Sequence, residues 1–161
     1  MLFDHAKTEI CSSTKLNLSS YGKFLALMSQ YNSSITYQHQ LLRQLSPDHE
    51  ELPTIHNDLA YAYRESSKYE AATKHYNIAL KLKENRVPRD ELDLATMYSD
   101  FGWLLMNTEQ PDKSLDFHTK ALIIRERWLG DNHYETAMSH NCLGLCYVDL
   151  FKWDWALQHL N

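Results

Sequence analysis

Turn-forming residues are scarce in this chain. Four glycines and four prolines in 161 residues are too few to punctuate a many-stranded sandwich or barrel, and they suit long helices joined by short loops. Cysteine is rarer still. Cys11, Cys142 and Cys146 cannot all pair with one another and form neither a CxxC nor a dense secreted framework, which points to a reducing compartment. Basic residues are outnumbered, 16 Lys and Arg against 21 Asp and Glu. The resulting formal charge of -5 argues against nucleic acid, whose binding depends on neutralised phosphates. The opening stretch MLFDHAKTEICSSTKL lacks a long apolar core and carries Asp4 and Glu9. It reads as neither signal peptide nor membrane anchor, so a soluble cytoplasmic chain without a membrane partner is expected. A hydrophobic share of 43% excludes a disordered acidic tail. The expected fold class is all-α.

What the chain does contain is a repeat, the feature to seek before any other because a missed period misassigns the whole fold. The segments NDLAYAYRESSKYEAATKHYNIAL, SDFGWLLMNTEQPDKSLDFHTKAL and NCLGLCYVDLFKWDWALQHLN superimpose without gaps, with Ala60, Gly102 and Gly144 at a constant interval of 42 residues. Leu59, Phe101 and Leu143 align at the same interval, as do Tyr63, Leu105 and Tyr147, and Ala72, Ser114 and Ala156. A fainter copy upstream places Gly22, Leu25, Tyr31, Ser34 and Leu42 at an offset of 38 from Ala60, Tyr63, Tyr69, Ala72 and Leu80. Each copy holds two apolar-periodic stretches split by a polar break such as Glu65-Ser66-Ser67-Lys68, the signature of a helical hairpin. Glycine inside a helix costs about 1 kcal/mol relative to alanine, so small residues at Gly22, Ala60, Gly102 and Gly144 imply that paired helices approach closely there. Pro111 falls where a first helical turn tolerates it.

These residues resemble the tetratricopeptide family, and the 42-residue spacing resembles the kinesin-light-chain type. The linker Leu129-Gly130-Asp131-Asn132-His133, with Thr136-Ala137 and Asn141 beyond it, is similar to that type's linker, and Leu45-Ser46-Pro47-Asp48-His49 is a second version. The resemblance implies a right-handed α-solenoid of about three and a half hairpins. Approximate copies span 19–45, 52–86, 94–128 and 136–161, the last truncated inside its second helix, and residues 1–18 stay unassigned. Where the family often carries glycine between its two helices, this chain has Ser67, Glu109 and Phe151.

The resemblance further implies that the first helix of each hairpin lines a concave groove. By register the binding face then holds Asn57, Asp58, Tyr61 and Glu65, next Ser99, Asp100, Trp103 and Asn107, and last Asn141 and Asp149. Thr54, Thr96, Met138, Cys142 and Leu145 flank them. Repeats that clamp a C-terminal carboxylate carry Asn, Lys and Arg where Asp58, Asp100 and Cys142 stand, so an anionic tail is disfavoured. The expected function is a protein-interaction scaffold whose groove takes a basic or amphipathic peptide or helix, carboxylates pairing with Lys or Arg and rings with an apolar anchor. The alternative is a regulatory or substrate-recruiting repeat region of a larger enzyme.

No catalytic constellation is expected within the chain, nor any cofactor or metal. Phosphate-loop, GxSxG, HExxH and EF-hand patterns are all missing. The densest grouping of ligand-type residues is His133, His140, Cys142 and Cys146. Cys142 and Cys146 lie one turn apart, but His140 projects from another side of the helix and Cys146 falls among apolar positions. His56 and His140 occupy a position usually filled by a large packing residue. Trp153, Trp155, Ala156, Leu157 and Leu160 begin a helix without a capping element, which suggests either that the natural chain continues or that this end packs on a second copy.

Overall fold

The computed structural model describes residues 18–160; the expectations placed on residues 1–17, including Cys11 and the leader reading, lie outside them. Among the described residues there are eight helices and no strand: α1 (Ser20–Leu27), α2 (Tyr31–Gln44), α3 (Leu52–Glu65), α4 (Tyr69–Glu84), α5 (Glu91–Asn107), α6 (Pro111–Leu129), α7 (Tyr134–Asp149) and α8 (Trp153–Leu160). The chain divides within α4 into two compact units, Met1–His75 and Tyr76–Asn161.

The breaks between the helices of each hairpin share one backbone device. Ser29, Ser67, Glu109 and Phe151 all adopt left-handed conformations, with φ of 59, 60, 57 and 57°. The following N–H in each case donates to the carbonyl five residues back: Gln30 to Leu25 at 2.9 Å, Lys68 to Tyr63 at 2.8 Å, Gln110 to Leu105 at 2.9 Å and Lys152 to Tyr147 at 2.9 Å. This closure satisfies carbonyls that a helix end otherwise leaves orphaned. Chain reversal is thus encoded by position in the repeat, with a side chain where glycine would be unstrained.

In the first unit, α1 and α2 meet at Gly22. The Ser34 hydroxyl donates to the Gly22 carbonyl at 2.7 Å, and a Cβ at this glycine would collide with the Gln38 amide. From α2 the core continues through Ile35 and Leu41 to Ile55, Leu59 and Ala62 of α3. A fully buried leucine such as Leu59 contributes about 1.5–3 kcal/mol through the water it sheds.

The second unit repeats the design. Ser114 donates to the Gly102 carbonyl at 2.8 Å, and a Cβ on Gly102 would stand 2.6 Å from Nε2 of His118. Gly144 and Leu160 stand in the same relation across α7 and α8, at 2.5 Å. Aromatic packing fills the rest: Tyr76 stacks on Phe101 at 5.5 Å, and Phe101 meets Phe117 at 4.8 Å. Helix starts use local acceptors, the Asp90 carboxylate taking the Asp93 N–H at 3.1 Å and His133 Nδ1 taking the Glu135 N–H at 3.2 Å. Lys83 pairs with Asp93, and the Tyr98 hydroxyl donates to Glu84 at 2.7 Å, a bond that together with burial pushes the phenol's pKa up.

Removing the left-handed strain should raise stability by about 0.5–1 kcal/mol in each of the variants Ser67→Gly and Glu109→Gly, read as a higher urea midpoint at unchanged m. His118 is only 1% exposed and neither ring nitrogen has a hydrogen-bond partner. Burial, with Arg125 nearby, lowers its pKa from 6.5 to about 4. The unfolded chain therefore takes up a proton that the native state refuses, and stability present above pH 6.5 declines on the way to pH 4, by on the order of 3 kcal/mol for this one group. His118→Leu, which copies Leu160 at the equivalent place, should flatten that part of the pH–stability curve and raise stability at pH 7 by about 1–3 kcal/mol.

Candidate protein-binding surface

The expected binding residues do not share one environment. In the first unit Asp58 of α3 is 6% exposed, and its carboxylate accepts from Nε2 of Gln38 on α2 at 3.3 Å. Asn57 and Tyr61 are half-buried and Glu65 is exposed. Arg64 dominates this corner. Its guanidinium lies 5.1 Å from the Tyr61 ring centroid and 2.9 Å from the Glu65 carboxylate, so a cation already occupies the aromatic face and offsets the acid beside it. Register counting overlooked Arg64 because it lies between two positions assigned to the face.

In the second unit Ser99 of α5 faces inward. Nη1 of Arg125, a residue of α6 only 7% exposed, donates to Ser99 at 2.8 Å and to Ser139 of α7 at 2.7 Å. Nε of the same guanidinium is 3.3 Å from Glu135. One buried arginine thus ties three helices together, and losing it would take the donor from the Ser99 hydroxyl, while Ser139 would keep its bond to the Glu135 carbonyl at 3.1 Å. Its position three residues after buried Leu122, on the apolar stripe of α6, was the available sequence signal. Asp100 and Trp103 are half-buried, the indole standing edge-on to His118 at 5.8 Å. Asn107, Asn141 and Asp149 are exposed.

Helix α7 presents a continuous stripe. Met138, Asn141, Leu145 and Asp149, spaced by three, four and four residues, are all exposed, with Met138 at 40% and Leu145 at 36%. Ser139, Cys142, Leu143 and Cys146 turn inward. The inner face is fixed by Cys146, whose sulfur lies 3.4 Å from the Ser114 hydroxyl and 3.5 Å from the Met106 sulfur.

The four ligand-type residues noted in this region are dispersed. His133 caps the start of α7. His140 turns Nδ1 to Nδ1 of His159 at 2.9 Å and Nε2 toward Glu126 at 3.6 Å. Both thiols are free and buried. Burial, with Cys146 adding to it, raises the Cys142 pKa to about 11, and burial likewise raises that of Cys146. Among the described residues no three His, Cys, Asp or Glu side chains are placed to hold a metal ion, and no helix is long and apolar enough to cross a membrane.

The geometry accords with comparison to known proteins. Residues 93–161, from the third residue of α5 onward, match a family model described as Tetratricopeptide repeat. The repeats within these residues are of tetratricopeptide type. The upstream copies share with these the 42- and 38-residue intervals and the left-handed turn. The fold is similar to BtubC (BKLC) from P. vanneervenii, with a TM-score of 0.80 and 18% identity, covering 89% of this chain and 59% of that one. It is also similar to the nearly identical TPR-like repeats of a Podosopora anserina protein named for kinesin light chain, with a TM-score of 0.78 and 12% identity over 89% of this chain and 70% of the other. These likenesses, at such identities, concern the tetratricopeptide fold, and the chain spans 59% of the length of the first structure. No curated protein matches the chain in sequence.

Since only thiolates react readily, Cys142 and Cys146 should resist iodoacetamide at pH 7.5 in the native protein and alkylate promptly in urea. Mass spectrometry of the two sites checks this, and prompt native labelling of either would show that α7 is less well seated than described.

Proposed function

We propose that the chain is a protein-interaction module that holds a basic or amphipathic segment of a partner on its first-helix faces, chiefly along α7. Tetratricopeptide repeats generally mediate protein–protein interactions. The observation that supports the finer reading is the exposed α7 stripe, on which apolar Met138 and Leu145 alternate with Asn141 and Asp149. A flexible thioether and a leucine offer an adaptable apolar contact, and the amide and carboxylate supply orientation and a preference for Lys or Arg. On α5 the exposed Asn107 and half-buried Asp100 and Trp103 offer the same mixture. Asp58 and Ser99, being buried, serve the proposal by shaping the face, while Asn57, Tyr61 and Glu65 form its counterpart in the first unit with Arg64 as a built-in counter-charge.

Magnitudes assign the larger share of affinity to the apolar contacts. An exposed ion pair is worth about 0.2–1 kcal/mol, whereas burying a leucine yields about 1.5–3 kcal/mol. A fluorescent amphipathic Lys/Leu helical peptide titrated by anisotropy tests the reading. Leu145→Asp should weaken binding about tenfold or more, and Asp149→Lys should weaken it about two- to fivefold while reducing its salt dependence. A Glu/Leu peptide of the same length that bound as tightly, or a Leu145→Asp protein that bound unchanged, would overturn the proposal.

A further inference from the structure

The structure contains the same histidine pair twice, in surroundings of different charge. His56 of α3 and His75 of α4 bring their Nδ1 atoms to 2.8 Å, with ring centroids 5.1 Å apart and planes at 25°. His140 of α7 and His159 of α8, each 84 positions further on, repeat the contact at 2.9 Å, 5.2 Å and 29°. Even the backing ring is repeated: Tyr63 stacks on His75 and Tyr147 on His159, both at 5.5 Å. In the intervening copy Tyr98 and Phe117 fill the paired positions, 5.9 Å apart.

A contact between two Nδ1 atoms at this distance is a hydrogen bond from one N–H to the other's lone pair. It needs one ring unprotonated at Nδ1 and cannot survive protonation of both. What differs is the company. The charged and titratable groups around the first pair are His39 from α2, itself under the influence of Arg43, the stacked Tyr63 from α3 and Lys74 from α4. His39 lies 5.8 Å from His75, ring to ring, and its Nε2 meets the Tyr63 hydroxyl at 2.8 Å. No carboxylate is among them. The second pair has Glu126 of α6 at 3.6 Å from Nε2 of His140, placed so that His140 as imidazolium can face the carboxylate while still donating to His159.

We propose that the His56–His75 contact is an acid-sensitive latch closing α3 on the first turns of α4, and that Glu126 protects the duplicate latch between α7 and α8. Of the two latches, acidification then opens the one within residues 52–75 and spares the one within residues 134–160. The proton affinities agree in direction. Burial first, then His39, lowers His56, and burial followed by His56, His39 and Lys74 takes His75 to about 4. For His159 burial and His140 lower the value, but Glu126 opposes them. Tyr61 and Glu65 also lie on α3, so opening the latch would alter the first-unit binding face; the latch itself does not depend on that reading.

Hydrogen exchange on the full chain carrying His118→Leu, which removes the acid-labile ring of α6, at pH 7 and pH 5, expressed as protection factors, tests this. Protection across residues 52–75 is expected to fall at least about tenfold more than across residues 134–160. The double variant His56→Tyr/His75→Phe, which copies the pair at Tyr98 and Phe117, should lose that excess, and Glu126→Gln should make the second hairpin acid-sensitive as well. With His118 replaced, parallel loss in both hairpins, or an undiminished drop when His56→Tyr/His75→Phe is added, would overturn the proposal. If the double variant folds poorly, NMR titration of wild-type His75 decides instead: depressed protonation coupled to loss of protection in 52–75 supports the latch, and titration at an ordinary histidine pKa rules it out.

Discussion

The fold depends on how closely two helices can approach at one point in each hairpin. Where Gly102 faces His118 and Gly144 faces Leu160, even a methyl group would sit inside van der Waals contact. Glycine in a helix is unfavourable by about 1 kcal/mol, and close packing of the partner helix, with the Ser114 hydroxyl on the Gly102 carbonyl, offsets it. Once that contact is set, the helix spacing is set, and with it the distance across which His140 can reach His159. Hairpin geometry here is therefore a consequence of one small residue per copy, glycine in three and Ala60 in the other, reinforced by a left-handed residue at the turn.

This explains why the architecture was legible in the sequence. A missing side chain leaves a mark in the composition of a chain with only four glycines, and the intervals of 42 expose it. The turns were harder to read as turns, because Ser67, Glu109 and Phe151 carry no glycine signal. Their conformation is imposed by the helices on either side and by the bond from the next N–H to the carbonyl five residues back. Local propensity lost to the repeat, as it does wherever tertiary packing over-determines a backbone.

The first-helix faces proposed to bind a partner were legible in register and not in exposure. Counting along α3 and α5 found the helix face that holds Asp58 and Ser99, but not the partners that bury them. Gln38 lies twenty residues before Asp58, and Arg125 lies twenty-six after Ser99. Polar burial is decided by such remote pairings, which leave no periodic trace. The same holds for the histidine pairs: His56 and His140 stood out as copies of one position, yet their partners His75 and His159 become visible only when the second helix folds back.

The polar groups within the repeat decide what each copy can add to a common frame. Gln38, His118 and Leu160 occupy the equivalent place opposite the small residue and are respectively an amide bonded to Asp58, an imidazole with no hydrogen-bond partner and a hydrocarbon. Backbone geometry tolerates all three, so chemistry at this position is free to diverge while the hairpin persists. Electrostatics has diverged likewise. Glu65 is matched by the neighbouring Arg64 and Asp58 by an inward amide, whereas Asp149 stands exposed at the end of a stripe with Met138 and Leu145. A formal charge of -5 spread over the chain thus says little about where a cation would be drawn. The local pairing of each carboxylate says more, and it directs attention to α7, where apolar contact and an exposed acid coincide on one helix face.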